Sequence, residues 1–224
     1  MASSTVENYV KQIYVEQQSA GGEHLLPMGK LAAAMGVVPG TATSMIQALA
    51  KSGLVEYEPR TGVRLTKGGE QLALHVLRRH RLVELLLVQV LGLDWSEVHD
   101  EAEELEHVIS DKVLERIDAL LGHPSADPHG DPIPSARGTV PRDRYRPLSE
   151  CLPGFSGKVA RVVDQDAAFL QFVERCGLKP GISVVVDARD ELADSITVRP
   201  SDRNAVTLGT GAAAKILVEQ SPSP

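Results

Sequence analysis

Residues 28–65 read MGKLAAAMGVVPGTATSMIQALAKSGLVEYEPRTGVRL. The spacing predicts a short alanine-rich helix over Met28–Met35, started after Pro27 and broken by Gly36. A turn through Val37, Val38 and Pro39 follows. A second helix over Thr41–Lys51 places Ala42, Met45, Ile46 and Leu49 on one face and Thr43, Ser44 and Gln47 on the other, and Gly53 ends it. Two helices joined by a tight, glycine-containing turn make the layout of a helix-turn-helix.

Leu54–Glu58 and Val63–Leu65 are strand-like runs around the turn sequence Pro59-Arg60-Thr61-Gly62, so a hairpin is expected directly after the second helix. Helix, turn, helix and basic-tipped hairpin in this order resemble a winged helix-turn-helix DNA-binding domain, whose second helix enters the major groove. On that basis Thr41, Thr43, Ser44 and Gln47 reach bases or phosphates of double-stranded DNA, while Arg60 and Arg64 on the hairpin touch its backbone. Upstream, Val6, Tyr9, Val10, Ile13 and Tyr14 recur at steps of three and four and predict an amphipathic helix over Thr5–Gln18.

Downstream the pattern is a long helix over Thr66–Leu91, stopped by Gly92. Leu82–Leu91 is apolar on nearly every side and needs cover on several faces, which predicts a homodimer. Asp94 is read as capping a helix through Ser110, and Asp111 as starting another through Leu121. Residues 122–147, rich in Pro, Gly, Ser and Asp, read as irregular connection. Short strands over 156–164, 183–187, 195–199 and 204–208, with a helix over 167–176, then suggest a small SH3-like barrel. The expected fold is mainly α with a small β domain. Residues 1–70 form the DNA-binding domain, 71–140 a helical dimerisation and metal-binding domain, 141–150 a linker and 151–224 the SH3-like domain.

The net charge of −7 is uneven. Residues 1–70 carry six basic and six acidic side chains, whereas 71–121 carry five and eleven. That acidic segment holds His80, Glu84, His99, Glu103, Glu106 and His107 at spacings of three, four and seven residues, which suits metal ligands on helix faces. A divalent cation would neutralise part of the excess. His24, His75, His123 and His129 read as surface or packing residues. Cys151 and Cys176 lie outside any paired motif and are expected to be reduced thiols. Without an apolar run of membrane length or a hydrophobic leader, a cytoplasmic protein with no membrane association is expected. A metal-dependent enzyme would suit the His/Glu cluster, but H-E-x-x-H, a nucleophile elbow and a phosphate-cradling glycine loop are all missing. A metal-transport accessory role rests on the C-terminal β part alone.

Four segments carry a wider resemblance: Val6-Glu7-Asn8-Tyr9-Val10-Lys11-Gln12-Ile13-Tyr14, Arg79-His80-Arg81-Leu82-Val83-Glu84, His99-Asp100-Glu101-Ala102-Glu103-Glu104-Leu105-Glu106-His107 and Pro128-His129-Gly130-Asp131-Pro132-Ile133-Pro134. Through them the chain resembles the diphtheria-toxin-repressor family of iron- and manganese-dependent transcriptional regulators. The resemblance implies one metal site at Asn8, Glu103, Glu106 and His107. It implies a second at His80, Glu84 and His99, completed by a carboxylate from the third domain, Asp166 or the competing Asp164. Iron-type members place cysteine where Glu103 stands and methionine where Asn8 stands. Oxygen and nitrogen donors in their stead suit Mn²⁺, with Fe²⁺ as the alternative. Manganese-type members often carry an acidic residue at the position of Lys11, which departs from that pattern. The implied function is a metal-activated repressor of metal-homeostasis genes that acts on operator DNA, without enzymatic activity or a small-molecule substrate.

Overall fold

The computed structural model describes residues 3–19, 21–22, 24–141 and 145–220. The chain forms two compact units: one runs through His80 and regains Leu105–Ile109 and Pro134–Thr139, and the other holds Arg81–Glu104, Ser110–Ile133 and Val140 onward. These units divide the long helix at His80, and two short segments belong with the first unit.

In the first unit, α1 (Ser4–Ser19) leads to α2 (Met28–Ala34) and α3 (Pro39–Lys51). A wing of β1 (Val55–Glu58) and β2 (Gly62–Leu65) follows, then the start of α4 (Lys67–Gln89). Helix α3 begins two residues earlier than its apolar periodicity suggests. Pro39 takes a first-turn position, where a missing N–H costs nothing and the fixed φ suits the helix. The apolar face read from the sequence is the one buried: Ala42, Ile46 and Leu49 pack with Tyr9, Ile13, Leu31, Val55 and Val63. Leu26 bridges to Val63 and ties the entry to α2 onto the wing. Full burial of a side chain such as Ile46 contributes roughly 1.5–3 kcal/mol, so this cluster fixes the angle at which α3 is presented.

The second unit contains the rest of α4, α5 (Val98–Leu105) through Glu104, and α6 (Asp111–Leu120). Its remaining elements are β3 (Arg146–Pro147), β4 (Ser156–Val162), α7 (Ala167–Arg175), β5 (Ser183–Asp190), β6 (Ser195–Pro200), β7 (Val206–Gly209), α8 (Thr210–Ala213) and β8 (Ile216–Gln220). The strands make one antiparallel sheet in the order β3-β8-β4-β5-β6-β7. Ile196 and Val198 alternate inward on β6 and meet Val159, Val184, Val186, Leu208 and Val218 in a core that also holds Trp95.

Three expectations change. The helix expected over 94–110 is confined to α5, because the Asp94 carboxylate accepts from Ser96 N–H and hydroxyl in a separate turn. The sheet begins at Arg146, inside the stretch read as linker, where β3 pairs with β8. Strand β8 itself escaped the sequence reading. Along α4, Leu82, Val83, Leu85 and Leu87 are buried within the chain, so it covers much of the run assigned above to a second subunit, while Val90 and Leu91 stay exposed. Cys151 and Cys176 are free, and burial pushes both thiols up. Among the described residues, no helix is long and apolar enough to cross a membrane.

Candidate metal centre

The first unit gathers a polar cluster where α1 meets the end of its part of α4 and the Leu105–Ile109 segment. Glu7 and Asn8 precede Lys11 on α1 by four and three residues, so each neighbours it along the helix surface. His80 donates Nδ1–H to Glu106 Oε2 at 2.7 Å, and Lys11 donates from Nζ to Glu106 Oε1 at 2.7 Å. His107 donates Nδ1–H to Glu7 Oε2 at 2.7 Å, and Arg79 bridges Glu7 Oε1 and the Glu106 carbonyl at 3.3 and 3.0 Å. Since carboxylates only accept, each imidazole carries its proton on Nδ1. In the neutral imidazole His107 Nε2 then holds the lone pair; the atom is buried, without a hydrogen-bond partner and 3.4 Å from Glu106 Oε1. Asn8 Oδ1 is also buried without a hydrogen-bond partner.

Buried acceptors left unsatisfied cost about 1–3 kcal/mol each. An amide oxygen, an imidazole nitrogen and a carboxylate are oxygen and nitrogen donors of the kind that Mn²⁺ and Fe²⁺ accept, so these residues fit a divalent cation. Glu103, on α5, precedes Glu106 by three residues.

A second cluster lies inside the second unit. One ligand atom from each of Glu84, Asp127 and His129 lies within 4.8 Å of the others, and all three residues are buried. His129 donates Nε2–H to the Trp95 carbonyl at 2.8 Å, and its Nδ1 lies 3.8 Å from Glu84 Oε2 without a hydrogen-bond partner. Asp127 Oδ1 accepts from His129 N–H and Asp131 N–H, so its carboxylate also shapes the loop. Burial, the Asp131 carboxylate and then Glu84 push Asp127 up to about 7. At His129 burial pulls the pKa down, but the Glu84 carboxylate, Asp127 and the Trp95 carbonyl outweigh it and raise the net value. Three buried carboxylates, Glu84, Asp127 and Asp131, thus face two guanidinium groups: Arg81 lies 3.3 Å from Asp131, and Arg161 lies 2.5 Å from it. A local excess of buried negative charge with an imidazole lone pair beside it also fits a divalent cation.

Gly130 makes this loop possible. At φ +86° it takes a left-handed conformation, and a Cβ there would run into the Ala160 carbonyl on β4. Val162 N–H on the same strand donates to the His129 carbonyl at 2.9 Å.

The remaining expected site residues are distributed as follows. His80 is engaged with Glu106, whereas Glu84 faces His129 and Asp127. His99 is half exposed and lies 3.4 Å from Glu84 Oε1 and 3.8 Å from Glu103. Asp166 is exposed and caps α7 by accepting from the Ala168 and Phe169 N–H groups, while Asp164 pairs with Lys215. Thr41, Ser44 and Gln47 are exposed on α3, and Thr43 is half buried. The hydroxyls of Thr43 and Ser44 donate to the Pro39 and Gly40 carbonyls, so their lone pairs face outward as acceptors. Arg60 stands exposed at the tip of the wing, and Arg64 donates to Glu56 across the strands.

Residue-by-residue reading missed Glu7, Lys11, Asp127 and His129 as parts of these clusters. His129 is buried and stacked on Trp95, so of the two expected roles it takes packing and not the surface. The only hint was its place in the Pro128–Pro134 segment that carried the resemblance.

A winged helix-turn-helix with buried carboxylate–imidazole clusters defines the class of metal-responsive DNA-binding regulators. The family pattern described as "Iron dependent repressor, N-terminal DNA binding domain" matches residues 1–63, "Iron dependent repressor, metal binding and dimerisation domain" matches 66–135, and "FeoA domain" matches 146–220. Among solved structures, a manganese-dependent transcriptional repressor in complex with manganese is 42% identical and superposes with a TM-score of 0.85, over 96% of this chain and 100% of that one. The iron-dependent repressor IdeR of Mycobacterium bovis is 36% identical over 58% of this chain and 55% of its own length. An uncharacterized HTH-type transcriptional regulator of Methanocaldococcus jannaschii is 34% identical over 53% of this chain and 94% of its own. The matched part thus spans about half the length of the first curated relatives. The chain belongs to the iron-dependent repressor family, a family of DNA-binding transcriptional repressors and not of enzymes.

Proposed function

We propose that this protein is a cytoplasmic, homodimeric repressor of metal-homeostasis genes that binds operator DNA when loaded with Mn²⁺. One observation carries the proposal: Asn8, Glu106 and His107 lie in the same compact unit as the helix-turn-helix, with Asn8 Oδ1 and His107 Nε2 buried and unsatisfied. These three residues hold the ion, with Glu103 as the further donor that the resemblance supplies. A divalent cation bound there supplies positive charge and a cross-link between α1 and the Glu106–His107 segment. Glu7 orients His107 by accepting its Nδ1 proton, and Arg79 holds Glu7 in place. Tyr9 and Ile13 on α1 pack in the core that seats α3, so whatever fixes α1 also restrains the recognition helix.

Two recognition helices of a dimer must sit about 34 Å apart to enter successive major grooves. A metal that favours this geometry tightens DNA binding, and DNA tightens metal binding by the same factor, about 5- to 150-fold for couplings of about 1–3 kcal/mol. Glu84, Asp127 and His129 form a further cation site in the second unit. The donor set, free of sulfur, supports Mn²⁺. The family's description as iron-dependent supports Fe²⁺ as the alternative.

The test is selection of duplexes from a random-sequence pool by chelator-stripped protein, followed by mobility shift with and without Mn²⁺ or anaerobic Fe²⁺. Mn²⁺-dependent retention that His107→Ala abolishes is expected. Enrichment of no duplex under any metal condition would overturn the repressor assignment.

A further inference from the structure

We propose that Lys11 is a built-in cation that holds Glu106 in the metal-free protein and must yield when a divalent ion binds, so that it sets the metal concentration at which the protein responds. The inference rests on the metal site proposed above. Its basis is the crowding of one carboxylate oxygen. Glu106 Oε1 takes the Lys11 ammonium at 2.7 Å and also faces the His107 Nε2 lone pair at 3.4 Å. The second oxygen, Oε2, is engaged by His80. Glu106 is fully buried and the Lys11 side chain is 9% exposed, so water screens little of the charge on either.

The ammonium therefore competes with a divalent ion for the same oxygen, and its charge repels any ion bound beside it. It also fastens α1 to the Glu106 segment without metal, since Lys11 and Glu106 are 95 residues apart in sequence. Removing this charge has two opposite effects. The metal-free protein is left with an uncompensated buried carboxylate and loses stability. The loaded protein is relieved of repulsion and binds its ion more tightly.

The test compares wild type with Lys11→Met, Lys11→Gln and Lys11→Arg by calorimetric Mn²⁺ titration and by Mn²⁺ electron paramagnetic resonance, with melting temperatures measured in chelator and in saturating Mn²⁺. Lys11→Met and Lys11→Gln should bind Mn²⁺ at least tenfold more tightly, melt lower than wild type in chelator and regain the difference in Mn²⁺. Lys11→Arg, which keeps the charge, should not tighten binding. Unchanged or weaker Mn²⁺ affinity in both neutral variants, or a melting deficit that persists in Mn²⁺, would overturn the proposal. Glu106→Gln separates the two levels. If it leaves the Mn²⁺ stoichiometry and affinities of wild type unchanged, the metal-site assignment itself fails; if it removes one bound ion, leaving that at Glu84, Asp127 and His129, while the Lys11 variants show no change, only the role of Lys11 fails.

Discussion

His129 and Trp95 are joined twice: the imidazole donates Nε2–H to the Trp95 carbonyl at 2.8 Å, and the two rings stack with centroids 5.6 Å apart. Trp95 is the single tryptophan of the chain. A cation bound at His129 Nδ1 polarises the stacked imidazole, so Mn²⁺ or Zn²⁺ should change Trp95 fluorescence saturably. His129→Gln should remove that response, and a titration curve unaffected by the substitution would argue that the ions bind elsewhere.

Asp127 supplies a pH dependence. Its pKa rises from the usual carboxylate value of about 3.9 to about 7 in the folded chain. A group raised on folding contributes stability that is complete below its unfolded pKa and lost as pH climbs through the folded one. Chelator-treated protein should therefore lose stability between about pH 4 and pH 7, and Asp127→Asn should flatten that slope in denaturant melts. Stabilisation by Mn²⁺ should grow across the same window, because the ion requires the ionised carboxylate.

Glu7 accepts the Nδ1 proton of His107, which directs Nε2 to the metal site proposed above. Loss of such an orienting partner typically costs 10- to 100-fold in metal affinity. Glu7→Gln should weaken Mn²⁺ binding by about that factor while the fold survives. Calorimetry on the folded variant is the check, and wild-type affinity would show that Glu7 does not orient the ligand.

The Gly130 backbone leaves no room for a side chain. Gly130→Ala should destabilise the protein by at least about 1–3 kcal/mol from the left-handed backbone alone, with the collision against Ala160 in addition. A thermal melt within a degree of wild type would contradict this account of the loop.

On DNA, Arg60 at the wing tip and Gln47 on α3 should behave differently. Arg60→Ala should weaken binding to all duplexes alike and reduce the salt slope by about one. Gln47→Ala should relax discrimination at one base position, by roughly 1–3 kcal/mol for a direct base contact. Parallel mobility shifts on enriched and scrambled duplexes, at several salt concentrations, distinguish the two.

Much of the first unit was legible because its information is local. Helix periodicity, Gly36, Gly53 and the Pro59–Gly62 turn specify α2, α3 and the wing within about forty residues, and the structure moves the start of α3 by two residues and the end of α2 and the starts of both wing strands by one. The sheet was less so. Strand β8 and the two-residue β3 exist because they pair with each other and β8 with β4, and short runs carry little periodicity of their own.

The clusters divide in the same way. Spacing alone selected His80, Glu84, Glu103, Glu106 and His107, because residues three and four apart share a helix face whatever the fold. Spacing cannot say which residues meet across the chain. That Glu106 receives Lys11 and His80, that Glu7 holds His107 from 100 residues away, and that Glu84 faces His129 and Asp127 was decided by packing alone. Burial then sets the chemistry: it strips water from these groups, so an unsatisfied lone pair or an uncompensated carboxylate becomes costly enough to favour a cation.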